Sequence, residues 1–171
     1  GWREYSKQLH EADSDQFVKA TALAASGKPA EAAAAFQTLS DEAADGYALF
    51  ARFRAADALK DSGDIDGAVQ IFEGIATDSA VDDLYRDLAT LLAIMHTIDS
   101  GDQEAMRARL TPLLADNAVW RHSARELSGA LALRTGDREL AKTEFQKLAD
   151  DLLAPPGARA RATEILQILG D

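Results

Sequence analysis

The residues able to do chemistry are few in this chain, and their spacing keeps them apart. Histidine occurs three times, at His10, His96 and His122. No two of them stand in the HxxxH or HExxH spacing that sets a pair of imidazoles on one helical face for a metal ion. The neighbouring carboxylates Asp82-Asp83 and Asp150-Asp151 diverge when placed on a helix, so they read as a solvated face and a cap rather than an acid–base pair. His96 lies in the apolar run LATLLAIMHTID and reads as a core or helix-end histidine. Cysteine is absent, which removes disulfides, thiol nucleophiles and thiolate metal sites, and fits either a reducing or an oxidising compartment. There is no GxSxG elbow, no Walker loop and no GxGxxG fingerprint. No catalytic residue, cofactor or metal is predicted. The enzymatic alternative is a site assembled from distant residues.

The elements that would have to position any site are helices. Of the 171 residues 35 are Ala and only four are Pro, and Ala gives up no side-chain entropy in a helix. No long alternation of β-branched and polar residues marks a strand. The expected class is therefore all-α, in a single domain over residues 1–171. A net charge of −11 repels phosphate backbones, so nucleic acid is not an expected partner. The acid excess is read as solubility. No cluster of Lys and Arg points to anionic lipid. No signal peptide or apolar run of spanning length is present. The sequence opens at Gly1 without Met, so a trimmed or processed start is expected.

Internal repetition is the strongest signal. GDIDGAVQIFEGI, from Gly63, reappears as GDRELAKTEFQKL from Gly136, and aligning on the turn glycine gives four copies at Gly27, Gly63, Gly101 and Gly136, spaced 36, 38 and 35 residues. Five residues after each glycine stand Ala32, Ala68, Met106 and Ala141; nine after it stand Phe36, Phe72, Leu110 and Phe145; twelve after it stand Leu39, Ile75, Leu113 and Leu148. Offsets of four and three put these side chains on one helical face. Seven before the glycine stand Ala20, Ala56, Ile94 and Gly129, and sixteen before it, in three copies, an aromatic: Tyr47, Tyr85 or Trp120. Longer apolar first helices are expected over 13–26, 45–62, 79–100 and 117–135. The turn glycines supply positive φ, and Asp64, Asp102 and Asp137 cap the second helices. One hairpin cannot bury its own apolar face, but stacked hairpins can.

With Ala32/Phe36, Ala68/Phe72 and Ala141/Phe145 in place of its Ala-x-x-x-Phe signature, the chain resembles the tetratricopeptide repeat family. That resemblance implies a right-handed solenoid of about four degenerate helical hairpins over 13–151. Residues 1–26 form one long helix, with 1–12 membrane-proximal, and a capping helix over 157–169 uses Ile165, Leu166, Ile168 and Leu169 to cover the last repeat. The third copy departs from the pattern, with Ile94 and Met106 in small-residue slots and Pro112 stopping its second helix. First helices of such stacks line a concave face through the positions ten and six before the glycine. Here these are Phe17 and Thr21, Phe53 and Asp57, Leu91 and Met95, Glu126 and Ala130. They form the candidate partner groove, whose apolar middle suits hydrophobic peptide segments. For Leu91 and Met95 burial in the core is expected ahead of the groove, and for Phe17 and Phe53 core and groove stand as equal alternatives.

A short, acidic, Ala-rich repeat domain entered through a helix beginning GW…Y, with the segment Thr111-Pro112-Leu113-Leu114, also resembles the bacterial ancillary SecYEG translocon subunits. That resemblance implies a non-enzymatic adaptor in the periplasm, anchored through a membrane helix upstream of Gly1, with Trp2 and Tyr5 at headgroup level. Its implied partners are translocon components, emerging polypeptides or periplasmic chaperones. The alternative is a soluble cytoplasmic scaffold.

Overall fold

Helix propensity and a repeating apolar face dictate the elements, and the structure, a computed structural model, describes residues 1–43 and 45–170, with the backbone alone of Asp45. No strand forms among the described residues. The chain makes two compact units. Unit 1, Gly1–Val81, holds α1 (Trp2–Ala25), α2 (Pro29–Glu42), α3 (Asp45–Asp61) and α4 (Ile65–Ala76). Unit 2 begins at Asp82 and holds α5 (Asp83–Thr97), α6 (Gln103–Leu110), a 3-10 turn (Thr111–Leu114), α7 (Arg121–Arg134), α8 (Arg138–Asp150) and α9 (Pro156–Leu169).

The hairpin turns show why the glycines recur. Gly27, Gly63 and Gly136 have φ of +76°, +93° and +78°, a region closed to most side chains. That backbone lets the next N–H reach five residues back: Lys28 to the Leu23 carbonyl (3.0 Å), Asp64 to Leu59 (2.9 Å) and Asp137 to Ala132 (2.9 Å). The carboxylates of Asp64, Asp102 and Asp137 accept from the N–H of Gly67, Ala105 and Leu140 at 2.8, 2.8 and 3.1 Å, capping α4, α6 and α8 as expected. Lys28 has no side-chain cap to offer, and Pro29, lacking an N–H, starts α2 instead.

The third copy corrects two expectations. Gly101 does not take positive φ. It is needed for space, since a Cβ there would lie 3.0 Å from the Thr97 carbonyl oxygen and 3.2 Å from Met106 Cε. Met106, larger than the Ala of the other copies, fills the room behind that turn. The first helices of the third and fourth copies are also shorter than expected. Asp82 accepts from the Leu84 N–H at 2.9 Å and so fixes the start of α5 at Asp83. Trp120 stands at the N-cap of α7, held there by its indole N–H donating to the Leu84 carbonyl at 2.9 Å. Pro112 acts as expected: α6 ends at Leu110 and the 3-10 turn carries the chain onward.

All twelve aligned second-helix side chains, from Ala32 to Leu148, are buried. In unit 1 Phe36 packs among Ala20, Ala32, Ala33, Ala51 and Ala55, with the Phe17 ring edge-on to it at 5.4 Å between ring centres and Arg54 over it at 5.7 Å. In unit 2 the small slot is tightest: a Cβ on Gly129 would stand 2.7 Å from Phe145 Cζ. Arg125 and Glu144, both nearly buried, face each other across α7 and α8 at 3.7 Å.

Within unit 2 the first helices α5 and α7 lie side by side, and α9 takes the next place beside α7. Polar contacts between them join residues about one repeat apart. Trp120 reaches Leu84 across 36 residues, and Arg134 Nη1 donates to the Ile98 and Gly101 carbonyls at 2.7 and 2.9 Å, closing the end of α5. Ala158, Ala162 and Leu169 of α9 are buried and Ile165 and Leu166 half-buried, but Ile168 is 83% exposed and does not cover the last repeat. It lies off the stripe that the other residues form at helical spacing.

Two stability measurements follow. Phe145→Ala should lower the unfolding free energy by roughly 3–5 kcal/mol in urea titration, as a large-to-small change in a closed core. Gly129→Ala should lower it by about 1–3 kcal/mol, because the added methyl meets the buried ring. Helix propensity alone would predict a gain of about 1 kcal/mol at this helical position.

Candidate functional site: an apolar cleft on the first helices of unit 2

The spacing that buries one face of each first helix leaves another face free, and in unit 2 these free faces converge. From α5, Leu88, Leu91, Leu92 and Met95 stand at successive turns of one face, followed by Ile98. From α7 come Trp120, Ser123, Glu126, Leu127 and Ala130. Arg161 of α9 completes the rim. Together they enclose a cleft of about 600 Å³ with mostly apolar walls, a size and lining typical of a binding site. Leu91 is buried at its floor and belongs to a core cluster with Ile94, Leu110 and Leu131. Met95 is 46% exposed at its mouth.

The cleft's polar edge is one ion pair. Arg161 Nε and Nη2 donate to Glu126 Oε1 and Oε2 at 2.6 and 3.0 Å, a bidentate contact between α9 and α7. Trp120 is fixed by its bond to Leu84, so one rigid aromatic wall stands beside adaptable Leu and Met side chains.

The cleft thus gathers Leu91, Met95, Glu126 and Ala130, the four groove positions expected in unit 2. Those expected in unit 1 are placed differently. Phe17 packs on Phe36 and lies 6.1 Å from the Tyr47 ring, while Phe53 lies 6.3 Å from Phe72. The Thr21 hydroxyl donates to the Phe17 carbonyl at 2.9 Å, and Asp57 accepts from Lys60 at 2.8 Å. Phe17 and Phe53 are half-buried, their rings set against the repeat core.

Sequence reasoning did not place Leu88, Leu92, Ile98, Trp120, Ser123, Leu127 or Arg161 in the groove, and Arg161 is the one that adds charge. Its signal was present: it follows Glu126 by 35 residues, as Glu126 follows Leu91. Treating α9 as a plain cap hid it. A larger trough of about 1100 Å³ runs between α8 and α9, but it is open and lined by solvated side chains such as Lys142, Gln146, Lys147 and Asp150.

A profile described as a tetratricopeptide repeat-like domain matches residues 1–168. The chain belongs to that family. Searches of curated proteins and of solved structures returned no match. Some of its ionisable groups hold elements of the fold together. His122 bonds Asp151 at 2.8 Å, tying the start of α7 to the segment after α8, and Asp151 also accepts from the Leu153 N–H at 2.9 Å. His10 is exposed on α1, and His96 is half-buried in the last turn of α5. Among the described residues no group of three His, Asp or Glu is placed to hold a metal ion.

The Leu153 N–H, then the His122 imidazole, hold the Asp151 carboxyl below the usual carboxylate range. A carboxyl depressed in the folded state contributes stability above its unfolded pKa of about 4, and that contribution is lost as pH falls through the depressed value. Asp151→Asn should therefore lower stability at pH 7 and flatten the decline below about pH 4, measured as Tm against pH.

Proposed function

We propose that this chain is a non-catalytic protein-interaction adaptor that docks hydrophobic segments of its partner in the cleft between α5 and α7. The observation that carries this is the convergence of Leu88, Leu91, Met95 and Leu127 with a fixed Trp120 in one open apolar cleft. Membership in the tetratricopeptide repeat-like family supports it, because the family's helical stacks work by presenting surface. An apolar cleft with a flexible Met at its mouth accepts varied aliphatic side chains.

The finer reading makes this the periplasmic domain of a membrane-tethered ancillary subunit of the Sec translocon. Its support is the resemblance in layout and the state of the N-terminal turn. Trp2 and Tyr5 are 80% and 57% exposed with ring centres 6.2 Å apart, an aromatic pair suited to the headgroup region of a bilayer. No described helix is itself long and apolar enough to cross a membrane.

Affinity capture from a bacterial membrane extract tests both levels. The wild-type chain should recover translocon components, and Met95→Glu, a change at an exposed position, should recover about tenfold less. Recovery of cytosolic proteins alone would overturn the translocon assignment. Equal recovery by both forms would overturn the cleft as the docking surface.

A further inference from the structure

We infer that the segment docked in the α5–α7 cleft is apolar and basic, its Lys or Arg taking the place of Arg161 on Glu126. This rests on the cleft being the docking surface and adds the chemistry of the occupant.

The rim pair is unequal in a way that chooses the sign. The side chain of Glu126 is 28% exposed and set on α7 among the cleft walls, whereas that of Arg161 is 58% exposed and reaches in from α9 on a long stem. A cation arriving with a partner can take over Glu126 while Arg161 swings out to water. Glu164 stands three residues further along α9, an ordinary helical ion-pair spacing for the released guanidinium. One surface pair replaces another, so the exchange is close to neutral and apolar contact supplies the net affinity.

A carboxylate meets the opposite situation. To reach Arg161 it must displace Glu126, whose shorter side chain stays at the cleft and faces the newcomer as a like charge. The chain as a whole carries −11, which speeds the approach of cations and slows that of anions. The apolar floor of Leu88, Leu91 and Leu127 beside that single carboxylate asks for aliphatic side chains followed by a positive one.

The test uses the whole chain carrying Trp2→Phe, which leaves Trp120 in the cleft wall as the sole tryptophan. Two synthetic Leu/Ala-rich peptides are titrated, identical but for a terminal pair of Lys in one and of Glu in the other. The Lys peptide should shift Trp120 emission and bind at least fivefold more tightly than the Glu peptide, a preference that shrinks with added salt. Glu126→Gln should weaken the Lys peptide roughly fivefold, and Arg161→Ala should strengthen it by freeing the carboxylate. Equal binding of both peptides, or a Lys-peptide affinity unmoved by Glu126→Gln, would sink the basic preference and leave the cleft as a docking surface. Silence of Trp120 toward both peptides would sink the cleft itself.

Discussion

A phenyl ring laid over a residue with almost no side chain is the contact on which this structure depends. Two helices joined by a tight turn must approach closely to exclude water between them, and bulk at the crossing prevents it. Gly129 beneath Phe145 is the clearest instance, where even a methyl would collide. Ala20 and Ala56 hold the same place in unit 1 and are fully buried. The third copy reverses the arrangement: Ile94 is the large partner, Leu110 replaces the ring, and Met106 takes up space by the turn. These three positions together hold more side-chain bulk in the third copy than in the others.

The cleft is a by-product of that contact. A first helix that gives its small residue and flanking positions to its own hairpin has another face left over, and α5 and α7 turn those faces toward the same space. In unit 1 the first of each pair is a phenylalanine, and the rings of Phe17 and Phe53 fold down onto Phe36 and Phe72. In unit 2 they are Leu91, which joins the core, and Met95, Glu126 and Ala130, which leave the gap between the helices unfilled. Side-chain size at two positions per helix thus separates the two outcomes.

The turn geometry and the buried face were legible because both are local or strictly periodic. Gly63 and Gly136 with their following aspartates announce a positive-φ turn and a cap, and the Ala–Phe–aliphatic spacing announces which face is covered. The third copy was less legible at Gly101, which does not take positive φ and instead lies close against the Thr97 carbonyl and Met106. The boundaries of α5 and α7 were misjudged because the Asp82 cap and the Trp120–Leu84 bond are decided by side-chain contacts rather than by propensity. Four of the eleven residues lining the cleft, Leu91, Met95, Glu126 and Ala130, were foreseen from repeat positions. Trp120 and Arg161 enter it through helix packing, and pattern alone could not distinguish Ile168 from the neighbours that α9 buries.

The contacts across unit 2 have a bearing on how such a chain can change length. Trp120 with Leu84, Arg134 with Ile98 and Arg161 with Glu126 each join residues 35 or 36 positions apart. Gain or loss of one whole copy in a duplication or recombination event brings an equivalent donor and acceptor back into register. An indel of a few residues inside a helix rotates every later side chain away from its counterpart. Genetic variation in this molecule is therefore quantised, with the hairpin as its unit.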